Sequence, residues 1–254
     1  MGLSTLSLSA QNLQKGTYGY LYCHMSDQGE FTAYALSRDG LHYHDLNEGK
    51  AIMDASKLAG IEGGQRDAYV CRKSDSGKGY LMVTTDMCVA KSKQWYNYGI
   101  DLLKSDDLIH WTSTTFDFRK GNEIFCDPES PDIIADWSKI NRVWAPQIFW
   151  DPDYVWPNGE KGGYFIYYSI WSFNEGDKYD RMVYSYADKT FTKLTKPRVL
   201  FDWVMPPSMP TSTTWRATTS TTCSSRRKVD ILASSRLSQT NSQDHGLNLM
   251  RTTL

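Results

Sequence analysis

The chain has 254 residues, with 28 Lys and Arg against 29 Asp and Glu and a formal net charge of −1. The length suits one large β domain or two smaller domains, and the balanced charge argues against nucleic-acid and membrane-surface partners. Five cysteines without a CxxC motif argue against a disulfide framework or a zinc site, and no apolar run approaches the roughly 18 residues of a membrane-spanning helix.

Residues 1–16 predict a disordered N-terminal segment. The phrase "SLSAQ" is similar to the small-x-small end of a secretory signal, yet the basic and apolar regions that precede such an end are missing. Two interpretations stay open, a signal-peptide remnant and a plain disordered tail. The first predicts that the parent protein is bacterial and is secreted or periplasmic.

Residues 17–203 predict short strands separated by turns. After the strand "YGYLYCHM", two hairpins are centred on Arg38-Asp39-Gly40 and on Ser76-Gly77. Three further strand-and-turn units follow, "YGIDLLKSDDLIHW", "VWAPQIFWDPDYVWPNGEKGGYFIYYSIW" and "DRMVYSYADKTFTKLTKPRVLF". Helix signals are weak, and only "DASKLAG" predicts one helical turn. Aromatic residues make up 13% of the chain, which favours strands.

Three phrases repeat one form, in which a strand, a small residue, charged turn residues and an aromatic residue lead into a second strand. They are "ALSRDGLHYHDL", "LLKSDDLIHWTS" and "SYADKTFTKLT". Repeats of this kind favour the blades of a β-propeller, and about four units fit before Trp203. A β-sandwich is the competing all-β architecture, against which the repeat argues.

The chain changes character at Val204. No Glu follows this point, and every Tyr and Phe of the chain precedes it. A Ser/Thr/Arg-rich segment with little periodicity cannot bury enough apolar surface to offset the entropy lost on ordering. Residues 204–254 therefore predict a disordered C-terminal tail.

Within residues 18–203, the ordered series "GGQRDAYVCR", "GYLMVTTD", "SDDLIHW", "NRVWAPQIFWD", "GGYFIYYS" and "SYADKTFTKLTKPRVLFDW" resembles glycoside hydrolase family 43. The resemblance implies a five-bladed β-propeller, incomplete here. It also implies inverting hydrolysis of O-glycosidic bonds in arabinose- or xylose-containing plant polysaccharides or oligosaccharides. The family includes β-xylosidases, α-L-arabinofuranosidases and arabinanases. We expect a carbohydrate substrate, a monomer, no catalytic metal and no cofactor, and a structural calcium ion stays open.

The resemblance assigns one catalytic carboxylate. Asp67 in "QRDAYV" matches the general base, which usually lies in an Arg-Asp-Pro phrase, and Ala68 stands where that Pro would be. Inverting enzymes place this base across the sugar from a carboxylic acid, with room for a water between them. Arg66 is a candidate substrate-binding residue. The alternative is that Arg66 and Asp67 merely form a turn that enters a strand.

Two further residues are candidates for substrate binding. "VWAPQIFW" matches the family's Trp-Ala-Pro-Glu phrase with Gln147 in place of Glu, so Trp144 is a candidate to stack on a sugar ring. The alternative for Trp144 is a core position under a strand. Asp86 ends the strand "YLMVTTD", where it either faces the substrate cavity or caps a turn.

The family's modulator Asp and acid Glu, in phrases such as Ile-Asp-Ala-Asp-Ile and Glu-Gly-Pro, have no match in this sequence. One G inserted after the Trp203 codon permits the reading Trp-Gly-Tyr-Ala-Thr-Ile-Asp-Ala-Asp-Ile. Our hypothesis is that residues 204–254 are a frameshifted readout, so that the printed chain keeps the base and is inactive. The alternative is a natural Ser/Thr-rich tail.

Other function classes stay open beside the inverting hydrolase. A non-catalytic carbohydrate-binding propeller would keep Trp144 without needing Asp67 as a base. A retaining five-bladed enzyme of the invertase type would hold its carboxyl groups about 5–5.5 Å apart. An interaction propeller of the WD type is disfavoured, because the blade motifs of that class are absent.

Overall fold

The computed structural model describes residues 19–25, 29–173, 180–201 and 249–250. The strands are β1 Tyr20–Met25, β2 Thr32–Ser37, β3 His44–Asp45, β4 Gln65–Arg72, β5 Tyr80–Asp86, β6 Gly99–Ser105, β7 Thr112–Asp117, β8 Ile140–Val155, β9 Lys161–Ser172, β10 Arg181–Ala187, β11 Arg198–Phe201 and β12 Leu249–Met250. The α-helices are α1 Ala55–Leu58 and α2 Val89–Ser92, and 3₁₀ turns cover Asn47–Gly49, Phe118–Ile124 and Trp137–Lys139. The predicted helical turn in "DASKLAG" is confirmed as α1. Among the described residues, every helix is too short and too polar to span a bilayer.

The strands form three four-stranded antiparallel sheets, so the predicted all-β class is confirmed. The first sheet has the order β12-β1-β2-β3, the second β4-β5-β6-β7 and the third β8-β9-β10-β11. In the second and third sheets each strand pairs with its neighbour in the chain. The predicted hairpins β2–β3, β4–β5 and β8–β9 are confirmed.

The β2–β3 turn is built by one serine and one aspartate. Ser37 Oγ donates to Asp39 Oδ1 at 2.9 Å and accepts the Gly40 amide at 2.8 Å. Asp39 Oδ1 in turn accepts the His42 amide at 2.9 Å, while Asp39 Oδ2 lies 2.7 Å from His42 Nδ1. Gly40 has a φ of 78°, a left-handed conformation that glycine adopts without steric cost.

The β6–β7 turn repeats this arrangement atom for atom. Ser105 Oγ donates to Asp107 Oδ1 at 3.0 Å and accepts the Leu108 amide at 2.9 Å. Asp107 holds His110 through the backbone amide at 2.8 Å and through Nδ1 at 2.7 Å. For the phrases "ALSRDGLHYHDL" and "LLKSDDLIHWTS" the sequence repeat is therefore also a structural repeat, and β2–β3 corresponds to β6–β7.

This correspondence makes β1 equivalent to β5, because each is the second strand of its sheet, and β9 holds the same position in the third sheet. The position that β4 and β8 hold in the second and third sheets is held in the first sheet by β12. β4 contacts β1, and β8 contacts both β4 and β5. The first strands of the second and third sheets therefore lie side by side, which places the residues of β4 and β8 near one another.

Two apolar clusters bind the second sheet to its neighbours. One lies between the second and third sheets and includes Leu81, Val83, Ile166 and Tyr168. The other lies between the first and second sheets and includes Leu21, Tyr34, Met82 and Leu103. Because the second sheet is covered on both faces, β5 is buried along almost its whole length and lacks the alternation of a one-sided strand.

The sequence predicted about four blade-like units before Trp203, whereas the described residues form three four-stranded sheets. The difference arises because two consecutive hairpins build one sheet, as β4–β5 and β6–β7 do. The predicted disordered N-terminus, the boundary at Trp203 and the predicted tail 204–254 lie outside the described residues, apart from β12.

Candidate active site

Asp67 lies in a β-bulge of β4. Arg66 pairs with Thr85 of β5 and Tyr69 pairs with Val83, so an extra residue is accommodated between these two pairs. Asp67 has a φ of 52°, which Asp tolerates better than most residues, and its side chain is exposed. The bulge therefore turns the predicted base out of the sheet towards solvent.

A matching bulge lies in β8 of the neighbouring sheet. Trp144 pairs with Ser169 and Gln147 pairs with Tyr167, and between them Ala145 has a φ of 54°. The phrases "RDAY" and "WAPQ" thus carry the same irregularity at the same point of two adjacent strands. Gln147 Oε1 accepts a short hydrogen bond from the Tyr167 hydroxyl.

Thr85 joins the two bulges. Its Oγ1 donates to Asp67 Oδ2 at 2.9 Å and accepts the Ala145 amide at 2.8 Å. The Thr85 side chain is fully buried. The sequence reasoning missed Thr85, because only the bulges, which propensity does not predict, bring its two partners together.

Trp144 is half-buried and stacks with a cation. The Arg142 guanidinium lies 5.0 Å from the ring centroid of Trp144 and 4.4 Å from that of Trp171. Arg142 Nε is also 3.1 Å from Asp180 Oδ1, and burial raises the pKa of Asp180 while Arg142 partly opposes that rise. Trp144 is thus held in a Trp–Arg–Trp arrangement beside the β8 bulge.

Arg66 is engaged by an acidic partner. Its Nη1 lies 2.6 Å from Glu30 Oε1, and its guanidinium is 5.0 Å from the Trp95 ring centroid. Burial raises the pKa of Glu30, but hydrogen bonds from the Ala90 and Val89 amides and from Arg66 outweigh it and lower that pKa. Arg66 therefore links the start of β4 to the segments around it, and its contact with substrate stays a prediction.

Asp86 is fully buried on the face of β5 opposite Thr85. Its carboxylate accepts the backbone amides of Ile61 at 2.7 Å, Glu62 at 2.8 Å and Gly63 at 3.1 Å. Burial raises its pKa despite these three donors. Asp86 thus caps the loop before β4, which is the second of its two interpretations, and substrate contact by Asp86 stays a prediction.

The structure therefore brings Asp67 and Trp144 to neighbouring bulges, and it places Arg66 and Asp86 in contacts that order the loops around β4. Across the described ranges, no three His, Cys, Asp or Glu side chains are arranged to hold a metal ion. An exposed carboxylate with one oxygen held by a hydroxyl can act as a general base.

Two comparisons with known proteins bear on this site. The model of a family described as "Probable glycosyl hydrolase domain" matches residues 16–226. An α-L-arabinofuranosidase of Bifidobacterium longum subsp. longum is 27% identical over 137 residues, which cover 50% of this chain and 11% of that protein. The chain thus spans about a tenth of the length of the curated relative that it matches.

Proposed function

Since the chain belongs to the family of probable glycosyl hydrolase domains, which is related to glycoside hydrolase family 43, we propose that it acts on arabinose- or xylose-containing plant polysaccharides or oligosaccharides. The similarity to an α-L-arabinofuranosidase supports a pentose substrate. The observation that carries the proposal is Asp67, an exposed carboxylate held at a bulge beside the bulge of Trp144.

In this proposal Asp67 is the general base of an inverting hydrolysis. Its carboxylate takes a proton from a water as that water attacks the anomeric carbon. A carboxylic acid on the other side of the sugar gives a proton to the leaving oxygen, and the two carboxyl groups are about 6.5–9.5 Å apart in such enzymes. Trp144 packs against a C–H face of the sugar and orients it.

We further propose that the complete fold is a five-bladed propeller. Three successive sheets packed through apolar faces, with β4 in contact with β1 and β8 in contact with β4, support this arrangement. The remaining blades would carry the modulator and the acid, both of which the resemblance expects after Trp203.

The frameshift belongs to the same proposal. Two features of the sequence support it: one G inserted after the Trp203 codon permits the phrase Ile-Asp-Ala-Asp-Ile, and Glu, Tyr and Phe are absent beyond that point. The family match runs past Trp203 to residue 226, so it does not itself locate a change of frame. A nucleotide read across codons 200–206 tests this part. Four or more consecutive Gs would support it, and a read of TGG followed by GTN ATG would contradict it.

Asp67→Asn tests the catalytic proposal. Asn tolerates left-handed backbone and can still accept the Thr85 hydroxyl, so the fold is expected to be unchanged. Both the printed chain and the frame-restored chain are assayed with aryl α-L-arabinofuranosides and aryl β-D-xylosides. In whichever chain hydrolyses these substrates, we expect Asp67→Asn to lower kcat about 10²–10⁴-fold.

Asp153 is an exposed aspartate on β8, and Asp153→Asn is therefore the matched control, which should leave kcat unchanged. Equal rates for Asp67→Asn and the unaltered protein would remove Asp67 from the mechanism. Proton NMR identifies which anomer of the released sugar forms first, and this distinguishes an inverting from a retaining mechanism. Sugar binding without hydrolysis in both chains would favour the carbohydrate-binding alternative.

A further inference from the structure

We propose that Thr85 is a positioning residue, whose hydroxyl sets the orientation of the Asp67 carboxylate and ties it to the bulge that carries Trp144. The inference rests on the proposed role of Asp67 as the base. It adds a residue of β5 to a site whose other members lie on β4 and β8.

The direction of the two hydrogen bonds follows from the chemistry of the groups. The Ala145 backbone amide can only donate, so Thr85 Oγ1 accepts at that contact of 2.8 Å. The single hydroxyl proton of Thr85 then points to Asp67 Oδ2, 2.9 Å away. Within the described part of the chain this bond engages Oδ2 and leaves Oδ1 available to take a proton from a water.

The bulge of β8 explains why a hydroxyl is needed at position 85. Ala145 lies between the paired residues Trp144 and Gln147, so its amide has no partner in the β8–β9 ladder. The Ala145 amide therefore needs an acceptor outside the ladder, and the hydroxyl of the fully buried Thr85 supplies it. A valine of nearly the same shape would leave both the amide and the carboxylate without this partner.

The two hydrogen bonds of Thr85 also connect Trp144, the residue proposed to pack on the sugar, with Asp67, the proposed base. Trp144 directly precedes Ala145, so a sugar that packs on Trp144 acts on the same bulge whose amide is bound by Thr85. Fixing that bulge fixes the Thr85 hydroxyl, and the hydroxyl fixes Asp67. Thr85 is therefore expected to affect the chemical step more than substrate affinity.

The test compares Thr85→Val, which removes the hydroxyl, with Thr85→Ser, which keeps it. Thr84→Val is the matched control, because Thr84 is a fully buried neighbour on β5 whose hydroxyl donates at 3.2 Å to Asp101 instead. With whichever chain, printed or frame-restored, hydrolyses the aryl pentoside, we expect Thr85→Val to lower kcat about 10- to 100-fold with little change in KM. Thr85→Ser and Thr84→Val should keep kcat within about twofold of the unaltered protein.

A similar loss of kcat in Thr84→Val would mean that Thr85 is only structural, and unchanged kcat in Thr85→Val would overturn the inference. If Asp67→Asn retains full activity, the proposed function fails instead, so the two failures are distinguishable.

A second measurement needs no turnover. Hydrogen exchange of the Ala145 amide, followed by NMR in whichever of the two chains stays soluble, should be about tenfold faster in Thr85→Val and unchanged in Thr85→Ser. Equal exchange rates in both variants would also overturn the inference.

Discussion

At the scale of single residues, Asp67 and Ala145 both have left-handed backbone conformations. The Thr85 hydroxyl is hydrogen-bonded to both residues, to the side chain of Asp67 and to the backbone amide of Ala145. Such a conformation costs a non-glycine residue roughly 1–2 kcal/mol. Strain of this size persists where surrounding contacts enforce it, and it concentrates at functional sites. The coincidence of two such residues in adjacent bulges supports a functional assignment of this region.

A second residue-scale feature is a buried carboxyl that belongs to the interior of the second sheet. Asp101 is fully buried and accepts the hydroxyls of Thr115 at 2.6 Å and Thr84 at 3.2 Å. Burial, and after it the charge of Asp86, raises the pKa of Asp101 well above its ordinary value. The folded protein therefore binds a proton at Asp101 more tightly than the unfolded chain does.

This sign fixes a pH dependence. A carboxyl with a raised folded pKa contributes stability below its unfolded pKa of about 3.9, and that contribution is lost as pH rises through the folded value. Asp101→Asn removes the group that must ionise, so between pH 4 and pH 8 its stability relative to the unaltered protein should improve as pH rises, until Asp101 is ionised in the folded state. Urea unfolding at several pH values measures this. A difference that is constant over that range would contradict it.

At the scale of elements, the equivalent turns β2–β3 and β6–β7 offer a direct comparison. Ser37 and Ser105 each donate to an aspartate and accept backbone amides within their turn. The two turns lie in different sheets and share no partners. Each serine should therefore contribute independently and by a similar amount.

We expect Ser37→Ala and Ser105→Ala each to lower the free energy of unfolding by about 1 kcal/mol, because each leaves turn amides with fewer acceptors. The double variant should show the sum within about 0.5 kcal/mol. Ser76→Ala is the control, since Ser76 Oγ donates only to the exposed Lys78 carbonyl at 3.2 Å, and it should change little. Urea titration of the four variants and the unaltered protein gives the values. Strong non-additivity would mean that the turns are coupled.

At the scale of the whole molecule, the third sheet differs from the second. β9 and β10 alternate between buried residues and partly exposed ones. Opposite the core, Phe165 stacks on Phe149 at 4.7 Å and on Tyr184 at 4.8 Å between ring centroids. A sheet face with stacked aromatic rings is suited to pack against another sheet, as the proposed further blades would require.

The whole-molecule prediction follows from the proposed frameshift. The printed chain should show no hydrolysis of aryl pentosides and should aggregate, because an incomplete set of sheets exposes edges and apolar faces. The frame-restored chain should be soluble and active, since it would regain the modulator and acid. Light scattering and the aryl-pentoside assay compare the two. Turnover by the printed 254-residue chain would contradict this prediction.

Local patterns determined much of the secondary structure. The hairpins around Gly40 and Gly77, the helical turn α1 and the strand–turn–aromatic repeat all follow from residues close in sequence. The resemblance carried by "QRDAYV" and "VWAPQIFW" likewise identified the family and the two bulge-bearing phrases. These features depend on turn chemistry and alternation, which act over a few residues.

Tertiary structure decided what those residues contact. It buried Asp86 beneath the Ile61–Gly63 amides, paired Arg66 with Glu30 and joined Asp67 to Ala145 through Thr85. It also merged hairpins into three sheets. Each of these contacts joins residues more than 17 positions apart. The sequence by itself determined which strands and turns form, and only the packing of sheets, with bulges that reverse local alternation, decided which polar groups meet.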